Sequence, residues 1–129
     1  EALQATVLSF TGAFDSDQRL ARLWEQVEAN PGAAWSVQGM AKAAACSREH
    51  LRRLCLEQIG RPPRQQLAWV RLRHAARLLG TTSEKVETIA RESGYSSAFA
   101  LSNAFQRWMG CRPSDLRHAR AAAPGGMSA

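Results

Sequence analysis

The chain has 129 residues, 45% of them hydrophobic, enough to bury the core of one modest domain or of two small subdomains sharing a helix. No apolar run is long enough to span a membrane, and the three cysteines lack metal-like paired spacing, so reduced thiols are expected. The net charge of +6 is uneven: residues 1–41 hold two basic and five acidic side chains, and residues 42–129 hold fifteen basic and six acidic ones. The excess of basic residues in positions 42–129 favours a polyanion partner, with a solvated cationic surface as the common alternative.

The first part of the chain predicts a linker followed by one helix. Residues 1–16 are mildly apolar without clear periodicity, and we expect a linker or the end of a preceding domain there. Because the chain begins with Glu1 rather than Met, we also expect it to be part of a longer protein. Asp15 or Asp17 can cap a helix that runs to about Ala29, where apolar residues recur at helical spacing.

Residues 17–62 predict a first helix-turn-helix unit. Ser36 can cap a short helix, a tight turn follows at residues 45–46, and Ser47 can cap a second helix that runs to Gln58 or Ile59. The side chains expected on the buried face of these two helices are Val37, Met40, Ala41, Ala44, Leu51, Leu54, Cys55 and Ile59.

A long linking helix is predicted from Pro63 to Leu79, within residues 63–80. Pro63 suits the first turn of a helix, and the Gly-Thr-Thr-Ser run after Leu79 ends it. Its other faces carry Arg64, Arg71, Arg73 and Arg77. Of these, Arg71, Arg73 and Arg77 can touch phosphate, although solvated or Glu-paired arginines are more common.

Residues 81–120 predict a second helix-turn-helix unit. It comprises a short helix over 84–92, a turn at Gly94, a helix over 97–109 and a last short helix over 113–120. The side chains expected to face inward on the longer helix are Leu101, Ala104, Phe105 and Trp108. We expect residues 121–129 to be a disordered tail. No stretch alternates with period two, so the predicted fold class is all-α.

The two units repeat one pattern about 50 residues apart. The positions sharing one offset are Ser47/Ser97, Leu51/Leu101, Cys55/Phe105, Gly60/Gly110 and Pro63/Pro113. The pairs Ala41/Ala90 and Ala45/Gly94 are one residue short of that offset, so the slip falls in the turn before each serine. Because the small residues, apolar anchors and stop signals stay in step, the repeat is one of structure, and the varying positions are free to carry information.

This pattern has a physical use in reading duplex DNA. Two helices that cross steeply need a small residue at the crossing and a turn that tolerates a left-handed backbone, which Gly94 adopts without steric cost. The second helix is anchored by one face, and the opposite face can enter a major groove. The outward side chains are Arg48, Glu49, Arg52 and Arg53 in the first copy, and Ala98, Phe99, Ser102, Asn103 and Gln106 in the second.

The two outward faces differ in chemistry. Arginine can bind guanine O6 and N7 together, glutamate can accept from cytosine N4, asparagine suits adenine, and an apolar group suits the thymine methyl. We therefore expect the first helix to contribute more to electrostatic binding of DNA, and the second to make more apolar and amide contacts with bases. Ser36, Ser47 and Ser97 lie at helix N-termini, where phosphate binds well, although ordinary capping worth ~1 kcal/mol explains them as well.

These residues resemble the DNA-binding domain of AraC/XylS-type transcriptional regulators. The stretch Ile89-Ala90-x3-Gly94-Tyr95-x5-Leu101-x3-Phe105-x-Arg107-x2-Gly110-x2-Pro113 follows the signature of that family's second helix-turn-helix. The first copy, Met40-Ala41 through Ser47-x3-Leu51-x-Arg53-Leu54 to Gly60-x2-Pro63, follows the weaker first motif. The resemblance covers about residues 17 to 120.

The resemblance implies seven helices in two helix-turn-helix subdomains, with the recognition helices in successive major-groove segments ~34 Å apart. The positions it assigns to base contacts are Glu49, Arg52, Arg53, Ala98, Phe99, Ser102 and Asn103. The expected phosphate contacts are Ser36, Ser47, Arg48, His50, Ser97, Gln106 and Arg107. It also implies a bacterial, cytoplasmic, nucleoid-associated protein, a separate N-terminal effector domain and a contact with RNA polymerase. Activation is the expected mode, although no residue distinguishes it from repression.

Three positions depart from the family pattern. Asn103 stands where a basic residue is frequent, and Cys55 replaces the usual aromatic residue, which leaves room in the first unit's core. Phe99 stands where serine is frequent; it either contacts a thymine methyl or packs beside Tyr95 and Leu101, and the sequence does not choose.

Other functions have less support. The main alternative is a helical protein-interaction module in which the repeat is architecture alone. An enzyme is not expected, since Cys46 would be its sole candidate nucleophile, and no cofactor is implied. A metal held by Cys46 and His50 lacks a partner pair. The tryptophans could stack on bases, but each lies near an apolar stripe, which favours packing; they are Trp24, Trp35, Trp69 and Trp108.

Overall fold

The computed structural model describes the backbone of residues 11–122 and the side chains of residues 18–119. Within residues 11–122 the regular structure is entirely helical, which confirms the predicted all-α class with seven helices. The helices are α1 (Thr11–Ala29), α2 (Val37–Ala43), α3 (Arg48–Gln58), α4 (Pro63–Thr81), α5 (Val86–Glu92), α6 (Ala98–Met109) and α7 (Pro113–Ala122). No helix in this range is both long and apolar enough to cross a membrane.

The helices form two compact units. The first contains α1, α2, α3 and the start of α4 as far as Leu67. The second contains the rest of α4, then α5, α6 and α7, together with the segment Pro31–Ala34, here called the 31–34 loop. The helix α4 is therefore shared by both units, and the 31–34 loop belongs to the second although its chain neighbours belong to the first.

The core of the first unit lies between α1, α2 and α3. Apolar residues at helical spacing are buried on each helix, as the sequence predicts. They are Leu20, Leu23, Trp24 and Val27 of α1, Met40 and Ala41 of α2, Ala44 just after it, and Leu51, Leu54 and Cys55 of α3. Val37 and Ile59, also predicted on these faces, are half-buried.

The core of the second unit lies between α4, α5 and α6. Its buried residues are Leu72, Ala75, Leu79, Ile89, Ala90, Leu101 and Phe105, and Leu116 of α7 packs against them. Phe105 occupies the position that Cys55 fills in the first unit, and both are fully buried. The residues at this repeated position are therefore buried in the core of both units.

Serine caps begin the recurring helices as predicted. The Ser36 hydroxyl accepts from the Gly39 amide at 2.9 Å, and the Ser47 hydroxyl accepts from the His50 amide at 3.1 Å. Ser97 caps α6 in the same way. Each bond satisfies one backbone N–H that a helix end leaves without a partner.

Several helix boundaries differ from the predicted ones. The helix α1 begins at Thr11, so residues 11–16 are helical rather than a linker; residues 1–10 lie outside the described part. The helix α5 begins at Val86 rather than Glu84; Lys85 is its N-cap, with an extended backbone and no side-chain capping hydrogen bond. The helix α7 continues to Ala122, so residues 121–122 of the predicted tail are helical, and 123–129 lie outside the described residues.

The end of α4 is also later than predicted. The Thr81 and Thr82 hydroxyls donate to the carbonyls of Arg77 and Leu78, both at 2.7 Å. From α7, Arg117 Nη2 donates to the Thr82 carbonyl at 3.0 Å and Nη1 to the Glu84 carbonyl at 2.6 Å. These bonds satisfy carbonyls at the helix end, where glycine and threonine alone predict a break.

Candidate nucleic-acid interface

The helix α3 has one buried and one exposed face. Leu51, Leu54 and Cys55 hold the buried face in the core of the first unit. The side chains on the opposite face are exposed as the spacing predicts, and they are Arg48, Glu49, Arg52 and Arg53. Within the part of the chain that the structure describes, the three arginines make no side-chain hydrogen bond or ion pair, so they are available to bases or phosphates. His50 is half-buried.

An open depression of about 520 Å³ adjoins the N-terminus of α3. It is lined by Gln38, Ala41, Lys42, Cys46, Ser47 and Arg48. Lys42 and Arg48 give this depression two positive charges, and the first amides of α3 add the positive end of its dipole. We assigned no role to Lys42 from the sequence, although its place beside the crossing residue Ala41 is a usable signal.

Cys46 lies half-buried in this depression. Burial raises the pKa of its thiol, and the nearby Arg19 only partly opposes the rise. A thiol with a raised pKa is a poor nucleophile at neutral pH, which gives no support to the enzyme alternative. Among the side chains that the structure describes, no three His, Cys, Asp or Glu groups converge as metal ligands would.

Cys55 is fully buried, and Trp24 of α1 lies beside it. Burial raises the pKa of the Cys55 thiol to about 11, although the neighbouring Trp24 side chain opposes the rise. Trp24 is itself 7% exposed, so the expected packing role is confirmed and base stacking is excluded for it.

The other tryptophans differ from Trp24. Trp35 is half-buried and donates from Nε1 to the Asn30 carbonyl at 2.9 Å, and Trp69 is half-buried. Trp108 is 39% exposed, so its predicted inward position is wrong. It lies in the last turn of α6, beyond the anchor Phe105, where the buried stripe of this helix has ended.

The helix α6 presents its own exposed face. Leu101 and Phe105 are buried, whereas Asn103, Gln106 and Arg107 are exposed. Ala98 and Ser102 are half-buried at the margin of the same face. Phe99 is 74% exposed, so its ring does not pack in the core beside Tyr95 and Leu101.

The turns before α3 and α6 share a left-handed backbone. Ala45 has a φ of 56° and Gly94 a φ of 95°, as the aligned repeat predicts. A side chain at Gly94 would also meet neighbours, since a Cβ there would lie 2.5 Å from Arg71 Nε and 3.0 Å from the Pro31 carbonyl oxygen. The turn of the second unit therefore needs glycine for two independent reasons.

Arg71 of α4 has a structural partner rather than a free guanidinium. Its Nε donates to the Pro31 carbonyl at 2.9 Å, and its Nη2 donates to the Ala33 carbonyl at 2.8 Å. Gly32 lies so close to the Glu92 carbonyl that a Cβ there would clash with it. The 31–34 loop is thus held against the α5–α6 turn, and the expected phosphate or solvent role of Arg71 is replaced by this contact.

The capping serines retain limited capacity for phosphate. Each hydroxyl oxygen already accepts one backbone amide of its own helix, and Ser97 does so from Ala100 at 3.1 Å. The hydroxyl protons stay available, and Ser36 and Ser47 are exposed, whereas Ser97 is half-buried. A phosphate contact would therefore be made by donation from these hydroxyls and from nearby helix amides.

Comparison with known proteins agrees with this geometry. A family model described as a helix-turn-helix domain matches residues 40–119. The RCS-specific HTH-type transcriptional activator RclR of Escherichia coli is 34% identical over 99 residues, 77% of this chain and 35% of that protein. The HTH-type transcriptional regulator GlxA of Rhizobium meliloti is 40% identical over 78 residues, 60% of this chain and 24% of that protein.

Solved structures give the same result. The DNA-binding domain of AdpA, in complex with a target DNA, matches with a TM-score of 0.77 and 31% identity over 81% of this chain and 96% of that one. An AraC-type regulator from Chromobacterium violaceum matches with a TM-score of 0.76 and 28% identity over 83% and 96%. Fold and exposed faces together define a double helix-turn-helix domain.

The chain belongs to the AraC-type family of helix-turn-helix transcriptional regulators and corresponds to their DNA-binding domain. It spans about a third or less of the length of the curated relatives it matches, with 35% for RclR and 24% for GlxA.

Proposed function

We propose that this domain binds duplex DNA sequence-specifically, with α3 and α6 in adjacent major-groove segments, and thereby regulates transcription. The observation that carries the proposal is the matched anchoring of the two helices. Each buries two anchors one turn apart, Leu51/Cys55 or Leu101/Phe105, and exposes the opposite face. A helix of this width fits a major groove, where base edges can be read.

The exposed side chains divide into two proposed roles. Those directed toward base edges are Glu49, Arg52 and Arg53 of α3 and Ala98, Phe99, Ser102 and Asn103 of α6. Those directed toward phosphates are Ser36, Ser47, Arg48, His50, Ser97, Gln106 and Arg107. Lys42 joins the proposed phosphate contacts, because it lines the depression beside α3 together with Ser47 and Arg48.

A related domain supports this mode of binding. The AdpA domain has been solved in complex with a target DNA and shares 31% identity with this chain. The charge of the chain agrees, since fifteen of its seventeen basic residues lie in positions 42–129. Binding by phosphate neutralisation releases counterions, so the affinity should fall steeply as salt rises.

The complete protein is proposed to carry further parts. The relatives are more than twice as long as this chain, which leaves room for the expected N-terminal effector-binding domain. RclR is named an activator, which supports activation as the mode of regulation. A contact of the complete protein with RNA polymerase is part of this proposal. Such a protein would work in the bacterial cytoplasm, at the nucleoid.

Selection from a random duplex pool tests the proposal. The domain is incubated with the pool at low salt, bound duplexes are recovered and amplified, and the enriched sequences are aligned. We expect one bipartite motif, with affinity for it far above that for shuffled DNA of equal length. Binding without sequence preference, or no binding at low salt, would contradict the proposal and favour a protein-interaction module.

A further inference from the structure

Phe99 is the second residue of α6 and has the most exposed large apolar side chain in the described part of the chain, at 74%. A ring left in water contributes little to folding, since apolar side chains stabilise by being removed from water. The Phe99 ring is therefore available for contact with a binding partner rather than with the protein core. The first residues of a recognition helix are the ones that reach base edges in helix-turn-helix proteins.

The surroundings of Phe99 do not resemble a protein-docking patch. One turn further along α6 lie Ser102, half-buried, and Asn103, exposed, and Ser96 before the helix is also exposed. The exposed apolar residues Trp108 and Met109 lie roughly 14 Å further along the helix axis. Protein interfaces use contiguous apolar patches of roughly several hundred Å². Phe99 is instead the one large exposed apolar side chain that the structure describes at this end of α6, and its chain neighbours Ala98 and Ala100 are small and half-buried.

The major groove offers one apolar group that matches such a point, the C5-methyl of a pyrimidine. Thymine carries it, 5-methylcytosine carries the same group at the same ring position, and cytosine and uracil lack it. Asn103, one turn further on the same face, adds an amide suited to adenine N6 and N7. The strip from Phe99 to Asn103 therefore presents an apolar contact next to a polar one.

On this basis, and resting on the proposed function, we propose that Phe99 reads the C5-methyl group of one pyrimidine in the half-site bound by α6. The contact selects thymine over cytosine and accepts 5-methylcytosine in place of thymine. Cytosine methylation at that position strengthens binding rather than blocking it.

The test uses the operator obtained by selection. Each thymine in the half-site assigned to α6 is replaced in turn by deoxyuridine, which removes the methyl group and keeps the base pair. At one position we expect a loss of about fourfold in affinity, the value of one buried methyl-sized group. At that position, a 5-methylcytosine–guanine pair should bind about fourfold better than a cytosine–guanine pair.

Protein variants assign the effect to the ring. Phe99→Ala should bind the thymine and deoxyuridine operators equally, whereas Phe99→Leu should keep part of the difference. Met109→Ala, which removes another exposed apolar side chain of α6, is the matched control and should keep the full difference. Because both residues are exposed, circular dichroism should show unchanged folding.

Two results would overturn the inference while leaving the proposed function intact. One is a selected operator that tolerates deoxyuridine at every thymine of that half-site. The other is a Phe99→Ala variant that keeps the thymine preference. Failure to select any operator would overturn the proposed function itself, and this inference with it.

Discussion

Arg71 binds Pro31 across 40 residues of sequence: its Nε donates to the Pro31 carbonyl at 2.9 Å, while its Nη2 donates to the Ala33 carbonyl at 2.8 Å. Pro31 is buried, and burial lowers the pKa of the half-buried Arg71 without discharging it. Hydrogen bonds from a charged donor are stronger than neutral ones, and carbonyls buried without a partner are costly. This contact is therefore expected to be a main support of the 31–34 loop.

Arg71→Ala should lower the free energy of unfolding by about 2–3 kcal/mol, because both carbonyls lose their donor. Urea denaturation followed by circular dichroism measures the change. Arg64→Ala, on the exposed face of the same helix, is the matched control and should stay within ~0.5 kcal/mol of the parent. An equal effect of the two substitutions would show that the Arg71 contact contributes nothing specific.

The two left-handed turns should respond in opposite directions to exchange of alanine and glycine. Ala45→Gly should stabilise the domain by about 1 kcal/mol, since a Cβ at a φ of 56° is strained. Gly94→Ala should destabilise it by about 2–4 kcal/mol, because the strain is joined by a clash with Arg71. Thermal unfolding of both variants checks the pair; a stabilised Gly94→Ala variant would refute the close approach of Arg71 to this turn.

The proposed base and phosphate contacts should separate by their specificity. Arg53→Ala should lose ~1–3 kcal/mol of binding free energy on the selected operator and much less on random DNA. Arg107→Ala should weaken both alike and reduce the salt dependence. Fluorescence anisotropy across a salt series measures both effects. Equal losses for Arg53→Ala on both DNAs would reassign Arg53 to the phosphate group.

His74 should make stability depend on pH between about 5 and 7. Burial lowers its pKa, Arg77 lowers it further, and Glu92 only partly opposes them. Arg77 Nη2 lies 3.2 Å from His74 Nδ1, and because arginine can only donate, this ring nitrogen accepts and the imidazole is neutral. The unfolded chain therefore binds a proton more readily than the folded one. The contribution is fully present above the ordinary histidine pKa and is lost as the pH falls below it.

Urea denaturation at pH 7.5 and pH 5 measures this effect. The parent should lose more stability than His74→Gln over that interval, because glutamine does not titrate. The backbone N–H of Arg112 donates to Asp115 and lowers the pKa of that carboxyl below its usual range, so Asp115 does not contribute to the change between these two pH values. Parallel pH dependence of the parent and His74→Gln would contradict the neutral assignment of His74.

Local patterns were readable from the sequence because their causes are local. Serine caps, the left-handed turns and the buried faces of α3 and α6 each depend on residues within one or two helical turns. The residues opposite each buried face are the exposed ones, so spacing alone places most of the candidate interface. Spacing alone does not decide whether the Phe99 ring is packed or exposed, because its exposure depends on which surfaces the rest of the unit covers.

The features that were missed depend on distant backbone. Arg71 and Arg117 both donate to main-chain carbonyls more than 30 residues away, and carbonyls carry no sequence signature. An arginine on a helix therefore looks the same whether it meets solvent, phosphate or a loop. The spacing of Trp108 continues the apolar stripe and predicts an inward position, but at the last turn of α6 the described residues leave its side chain 39% exposed.

The membership of the 31–34 loop has a practical consequence for dissecting this domain. A fragment cut before Pro63 would carry α5, α6 and α7 intact yet lack the carbonyls that Arg71 binds and the backbone that faces Gly94. A single cut cannot release the second unit alone, because the 31–34 loop precedes α2 and α3 in the sequence and the rest of the unit follows them. Circular permutation, or supplying the missing stretch in trans, would be needed to study that half by itself.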